Sequence, residues 1–173
     1  MLGDDDLETV TALAQAFETP ESETTIETFR DPEGFAVQIA SGPDCRSDSR
    51  GYWVASPRVA RSFILLGRGD REMMVDFLRL VARFEREREP IEFGHTLKTD
   101  HPLLASMNLE AVVFLDPSDV IELPSGHRCL WVLPLTRSEY AVKLHEGLTA
   151  MFDAIDSSGR DVFALDQRAP SPH

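Results

Sequence analysis

The chain has 173 residues, enough for one domain over residues 1–173, and carries a formal net charge of −13 from 30 acidic against 17 basic side chains. That balance argues against nucleic acid and anionic membrane as partners, because basic patches dominate both affinities. No apolar run approaches the roughly 20 residues of a membrane span, and the acidic opening MLGDDDLETV is the reverse of a signal peptide, so a cytoplasmic protein is expected.

Asp4-Asp5-Asp6 stands before Leu7, Val10, Leu13, Ala14 and Phe17 at helical spacing, with acids where the helix dipole is positive, and predicts a helix from about Asp5 to Glu18. Short strands are expected at Thr25–Phe29, Phe35–Ala40 and Tyr52–Ala55, the first two joined by the turn signal Asp31-Pro32-Glu33-Gly34. Ser41–Arg50 is polar and expected to be a mobile loop. Arg61–Leu66 is a further strand. Gly67-Arg68-Gly69 turns the chain; it lacks the third glycine of a phosphate-binding fingerprint, and Asp70 behind it would repel an anion. Asp70 instead suits the N-cap of a helix whose stripe is Met73, Met74, Phe77, Leu78, Val81 and Phe84, ending in alternating charges before Pro90. Ile91–Leu97 leads to His95, Asp100-His101-Pro102 turns, and Leu109–Leu115 is a strand. Val120–Leu123 and Arg128–Leu133 flank Pro124-Ser125-Gly126, which predicts a hairpin.

The densest signal is His127–Ile155. Cys129 to Leu133 is an unbroken apolar run, expected as a strand buried on both faces and stopped at Pro134, which has no N–H for a ladder. Thr136-Arg137-Ser138-Glu139 matches a capping box, in which each end of the motif bonds the other's backbone. A glutamine also suits that box, so Glu139→Gln is expected to cost less than Thr136→Ala. Tyr140, Leu144, Leu148, Met151, Phe152 and Ile155 continue one amphipathic helix, ended by Ser157-Ser158-Gly159. Strands outnumber helices without strict βα alternation. The fold class is therefore α+β: a single domain with a mixed, largely antiparallel sheet and three main helices packed on it.

Pro134-Leu135-Thr136, Glu139, Gly147 and Asp166-Gln167-Arg168 follow the order of motifs in the C-terminal half of the Suppressor of fused domain, in its bacterial form. Gly94-His95-Thr96 resembles a second motif of that family, and Ser62–Leu66 its middle strand. The resemblance spans Ser62 to Arg168. It implies a mixed sheet with helices packed on it and a role in holding partners: the animal protein sequesters a transcription factor, and bacterial relatives act as immunity proteins that neutralise toxins.

Motifs for catalysis are missing. There is no HExxH, no G-x-S-x-G, and no cysteine or histidine spacing for zinc; no cofactor and no metal are expected, and Cys45 and Cys129 give no clear disulfide. The candidate partner-binding residues are His95, Glu139, Tyr140, Asp166 and Arg168. His95 is equally a strand-end histidine bonded to backbone, Glu139 has its job in the capping box, and Tyr140 suits the core. Asp166 and Arg168, two apart in an extended stretch, point to one side and either pin the C-terminal segment or offer a polar edge near Glu139. The expected function is a noncatalytic protein-binding module whose partner is another protein with a basic surface, such as a toxin domain. The alternative is an enzyme or small-ligand sensor with a site assembled across the fold.

Overall fold

In the computed structural model, which describes residues 2–57, 61–88 and 90–165, the unbroken apolar runs become central strands covered on both faces. These are β4 (Ser62–Leu66), β6 (Leu109–Leu115) and β7 (Cys129–Thr136). Successive side chains of a strand point to opposite faces. Phe63, Leu65, Val112, Phe114, Leu130 and Val132 therefore meet α2 (Arg71–Glu87) and the short α3 (Pro102–Ser106). Ile64, Leu66, Val113, Leu115, Trp131 and Leu133 meet α1 (Asp4–Ala16) and α5 (Leu148–Ser158) on the other side. A strand buried on both faces needs no polar alternation, which is why these runs carry none.

The remaining strands are β1 (Thr25–Arg30), β2 (Ala36–Pro43), β3 (Gly51–Pro57) and β5 (Thr96–Lys98). All seven form one sheet in the order β1-β2-β3-β4-β7-β6-β5. Every neighbouring pair is antiparallel except β4 and β7, where Ser62 to Leu65 run alongside Cys129 to Val132. The fold is thus α+β with a mixed, largely antiparallel sheet. Asp70 caps α2 by accepting the Met73 N–H at 3.0 Å.

Four local expectations need correction. Pro134 does not end β7: it pairs opposite Val112 and the strand runs on to Thr136. The β4 ladder stops at Val132, so Pro134 lies where no strand on that side requires its N–H, and its carbonyl accepts from Arg160 Nη2 at 3.0 Å. The hairpin through Pro124-Ser125-Gly126 is absent. Both sides of β7 are taken by β4 and β6, and Val120 and Ile121 instead donate their N–H groups back to the Pro117 carbonyl. The polar loop at Ser41–Arg50 is shorter than expected, because β2 extends through Pro43 and Asp44 is buried against Arg46. The C-terminal helix is two helices, α4 (Arg137–Glu146) and α5, broken at Gly147, whose φ of 94° is outside the helical region and suits a residue without Cβ.

Candidate functional site

The β5 end of the sheet brings together His95, Lys98, Tyr140 and a groove. β5 is the last strand and has β6 on one side only. The chain reaches it through Gly94, whose N–H donates to the Phe114 carbonyl, and the Phe114 N–H donates to His95 O. These two bonds fix the turn that presents His95. His95 is exposed, and its Nδ1 accepts the Glu92 N–H at 3.2 Å, a backbone-bonded role that leaves the rest of the ring at the surface.

α4 flanks the same end, positioned by its capping box. Thr136 Oγ1 accepts the Glu139 N–H at 3.3 Å and Glu139 Oε2 accepts the Thr136 N–H at 2.8 Å. This start places Tyr140 half-buried against the α1 and α5 side of the core, with Lys98 Nζ of β5 5.8 Å from its ring centre. Lys98 also pairs with Glu110 at 2.6 Å, and that bond, with Arg137 nearby, holds the Glu110 carboxyl below the usual range.

Between the C-terminal turns of α2 and the face of α4 lies a groove of about 770 Å³, with Phe84, Leu97 and Phe114 as floor and Arg88, His95 and Lys143 on its walls. Sequence periodicity missed Arg88 and Lys143, because an arginine at a charged helix end and a lysine on a helix surface carry no signal until the topology brings them together.

Glu139 is not at this surface. It is 5% exposed, and its Oε1 lies 2.9 Å from Arg160 Nε, close enough for an ion pair although the N–H does not point squarely at the oxygen. Burial pulls the Arg160 pKa down, and the Glu139 charge works the other way. The structure therefore joins His95, Lys98 and Tyr140 at one end and places Glu139 beneath α4. Asp166 and Arg168 lie outside the described residues.

One other constellation has catalytic shape. Cys129 Sγ lies 3.2 Å from His127 Nδ1, and His127 Nε2 lies 3.5 Å from Asp116 Oδ1, the spacing of a thiol, a base and an orienting carboxylate. Its electrostatics oppose a nucleophile. Burial first, then the Asp116 and Asp6 charges, push the Cys129 thiol up to about 12. A thiolate nucleophile needs the opposite, an electropositive and accessible setting. Among the described residues, no group of three or more histidine, cysteine or acidic side chains is placed to hold a metal, and no helix is long and apolar enough to cross a membrane.

A seven-stranded mixed sheet with helices on both faces and an aromatic, cation-lined groove at its β5 edge define an α+β domain. Residues 63–167 match the model of the Suppressor of fused protein family, and the chain belongs to that family. Among solved structures it is similar to a suppressor-of-fused homologue from Neisseria gonorrhoeae, with a TM-score of 0.70 at 17% identity over 99% of each chain. At that identity the likeness is one of fold. No protein with a curated description matches the chain.

Proposed function

We propose that this protein is a noncatalytic protein-binding module of the cytoplasm, with its contact surface at the β5 end, and that it neutralises a bacterial toxin as an immunity protein. The observation that carries the binding reading is the distribution of exposed apolar side chains. Among the described residues five large ones are exposed, and Leu80, Phe93 and Leu144, at 39%, 56% and 55%, all belong to the segments that meet at β5. Exposed apolar side chains on neighbouring segments suit a contact surface. Tyr140 and His95 belong to these same segments and suit an aromatic anchor and an adaptable polar contact. The net charge of −13 favours approach by a partner with a basic body. The toxin-neutralising role rests on what family membership implies for bacterial proteins.

Capture of partners by the full chain from its native cells, repeated with a Phe93→Asp/Leu144→Asp variant, tests this reading. The expected result is a protein retained by the wild type and lost from the variant. Recovery of no protein, together with reproducible turnover of a small molecule, would overturn it. The enzyme alternative has one specific support, the Cys129-His127-Asp116 spacing, and it requires that any turnover vanish in a Cys129→Ser variant.

A further inference from the structure

The chemistry of the β5 groove narrows what its partner presents; this inference rests on the protein-binding reading above. The chain has 30 acidic side chains against 17 basic ones, yet among the described residues the charged lining of this groove is Arg88 and Lys143, joined by His95, with no carboxylate. Neither cation is paired with a carboxylate among the described residues. Among the described residues Arg88 has no carboxylate at ion-pair distance, only the Phe84 ring at 6.0 Å, and Lys143 has none either. Most other cations in this region are paired: Arg83 with Asp31, Arg86 with Glu33, and Lys98 with Glu110. The acid at the entry to the loop, Glu85, is already engaged by the Ile91 N–H. Beneath these two cations lies an apolar floor of Phe84, Leu97 and Phe114.

We propose that the groove takes an acidic, apolar-flanked segment of the partner protein, with a carboxylate set between Arg88 and Lys143 and a neighbouring aliphatic or aromatic side chain on the floor. A polyanion such as RNA is the poorer match, because its continuous charge meets the repulsion of the whole −13 molecule, while a short segment brings one or two charges. The two electrostatic effects act at different range. The net charge steers a basic body until salt screens it, beyond about 8 Å in physiological buffer. The groove reads only the group in contact with it. The partner therefore combines a basic body with an acidic, apolar-flanked segment.

The test uses the full chain and fluorescent peptides alternating Asp with Leu, Ser with Leu, or Lys with Leu, with a short single-stranded RNA beside them. Fluorescence anisotropy reads binding to the wild type, to Arg88→Gln/Lys143→Gln, and to Arg71→Gln, a cation at the opposite end of α2 that pairs with Glu27. The Asp–Leu peptide is expected to bind the wild type at least about tenfold more tightly than the Ser–Leu peptide, as opposite charges in contact allow. The double variant loses that preference and Arg71→Gln keeps it. Both groove side chains are at the surface, and the two single variants each lose part of the preference, so the outcome does not hang on the double variant folding. No preference for the acidic peptide, a preference that survives in the double variant, or tighter binding of RNA would each overturn the proposal. A protein captured from native extract equally by wild type and double variant removes the acidic-segment inference and leaves the binding module standing. Capture by neither, together with reproducible turnover of a small molecule, removes both.

Discussion

Replacing Glu139 by glutamine separates two roles that one carboxylate fills. A glutamine preserves the capping box but leaves Arg160 as an uncompensated charge under α4. Removing one member of a buried pair costs about 3 kcal/mol or more, whereas losing an N-cap costs about 1 kcal/mol. Glu139→Gln is therefore expected to be more destabilising than Thr136→Ala, the reverse of the order that the capping motif alone suggests. Denaturant melts of the two variants compare them directly, and a Glu139→Gln/Arg160→Met double variant should recover most of the loss. Asp44 gives a pH-dependent counterpart. Burial opposes its charge, but the Arg46 side chain and backbone N–H outweigh that and hold its carboxyl below 3.8. A depressed folded-state pKa contributes stability that is whole above roughly pH 5 and is lost as pH falls through the folded value. Melts between neutral pH and about pH 3 should show a shallower acid slope for Asp44→Asn than for wild type. Cysteine chemistry should divide in the same spirit: iodoacetamide is expected to modify exposed Cys45 in the folded protein and Cys129 only after unfolding, as read by mass spectrometry. Equal labelling of both would reopen the thiol–imidazole–carboxylate constellation as a reactive site. None of these three environments was legible in the sequence, because Arg160, Arg46 and His127 act on groups that only tertiary packing or an irregular turn brings within reach.

At the scale of elements, periodicity revealed what packing demands and missed what pairing decides. The Asp70 cap, the α2 stripe and the Thr136–Glu139 box were readable because each is a contact between near neighbours in the chain. The run Cys129–Leu133 declared a strand covered twice, and it is one. Its neighbours were not declared. Nearest-in-sequence pairing favoured Val120–Leu123, but β4 and β6 fill both sides of β7 and leave that segment to fold back on Pro117. Gly147 was visible as a helix interruption only through its φ of 94°, since apolar spacing continues undisturbed across it. Gly67 makes the sharper prediction. Its φ is +120°, and an added Cβ would fall 2.6 Å from Leu165 Cγ and 2.7 Å from the Leu165 N. Gly67→Ala combines backbone strain with a clash against the returning C-terminal segment, and should cost about 2 kcal/mol or more in a denaturant melt. Gly126→Ala, with positive φ but open space around it, should cost less.

For the whole molecule, charge and topology act separately. The −13 charge should make association with a basic partner fall in rate between about 0.02 M and 0.15 M salt, with dissociation changing less; stopped-flow kinetics across that series reads both constants. A salt-independent association rate would discard steering and leave the apolar patch as the basis of binding. Charge was countable from the sequence, but the uneven placement that gives Arg88 and Lys143 no carboxylate partner among the described residues was not, because it depends on α2, β5 and α4 converging. The single parallel ladder has a further consequence, for the order in which the chain folds. β1 to β4 form a meander in which each strand pairs with the next, so that half closes over short loops. β5, β6 and β7 close over moderate ones. Only the β4–β7 ladder requires residues 62–65 to find residues 129–132, and loop-closure entropy makes such distant contacts slow to form. The two halves should therefore acquire their hairpins first and dock last along this seam. Pulse-labelling hydrogen exchange during refolding checks this order: amides bonded across the β4–β7 ladder should gain protection after those within β1–β3, and simultaneous protection would overturn it.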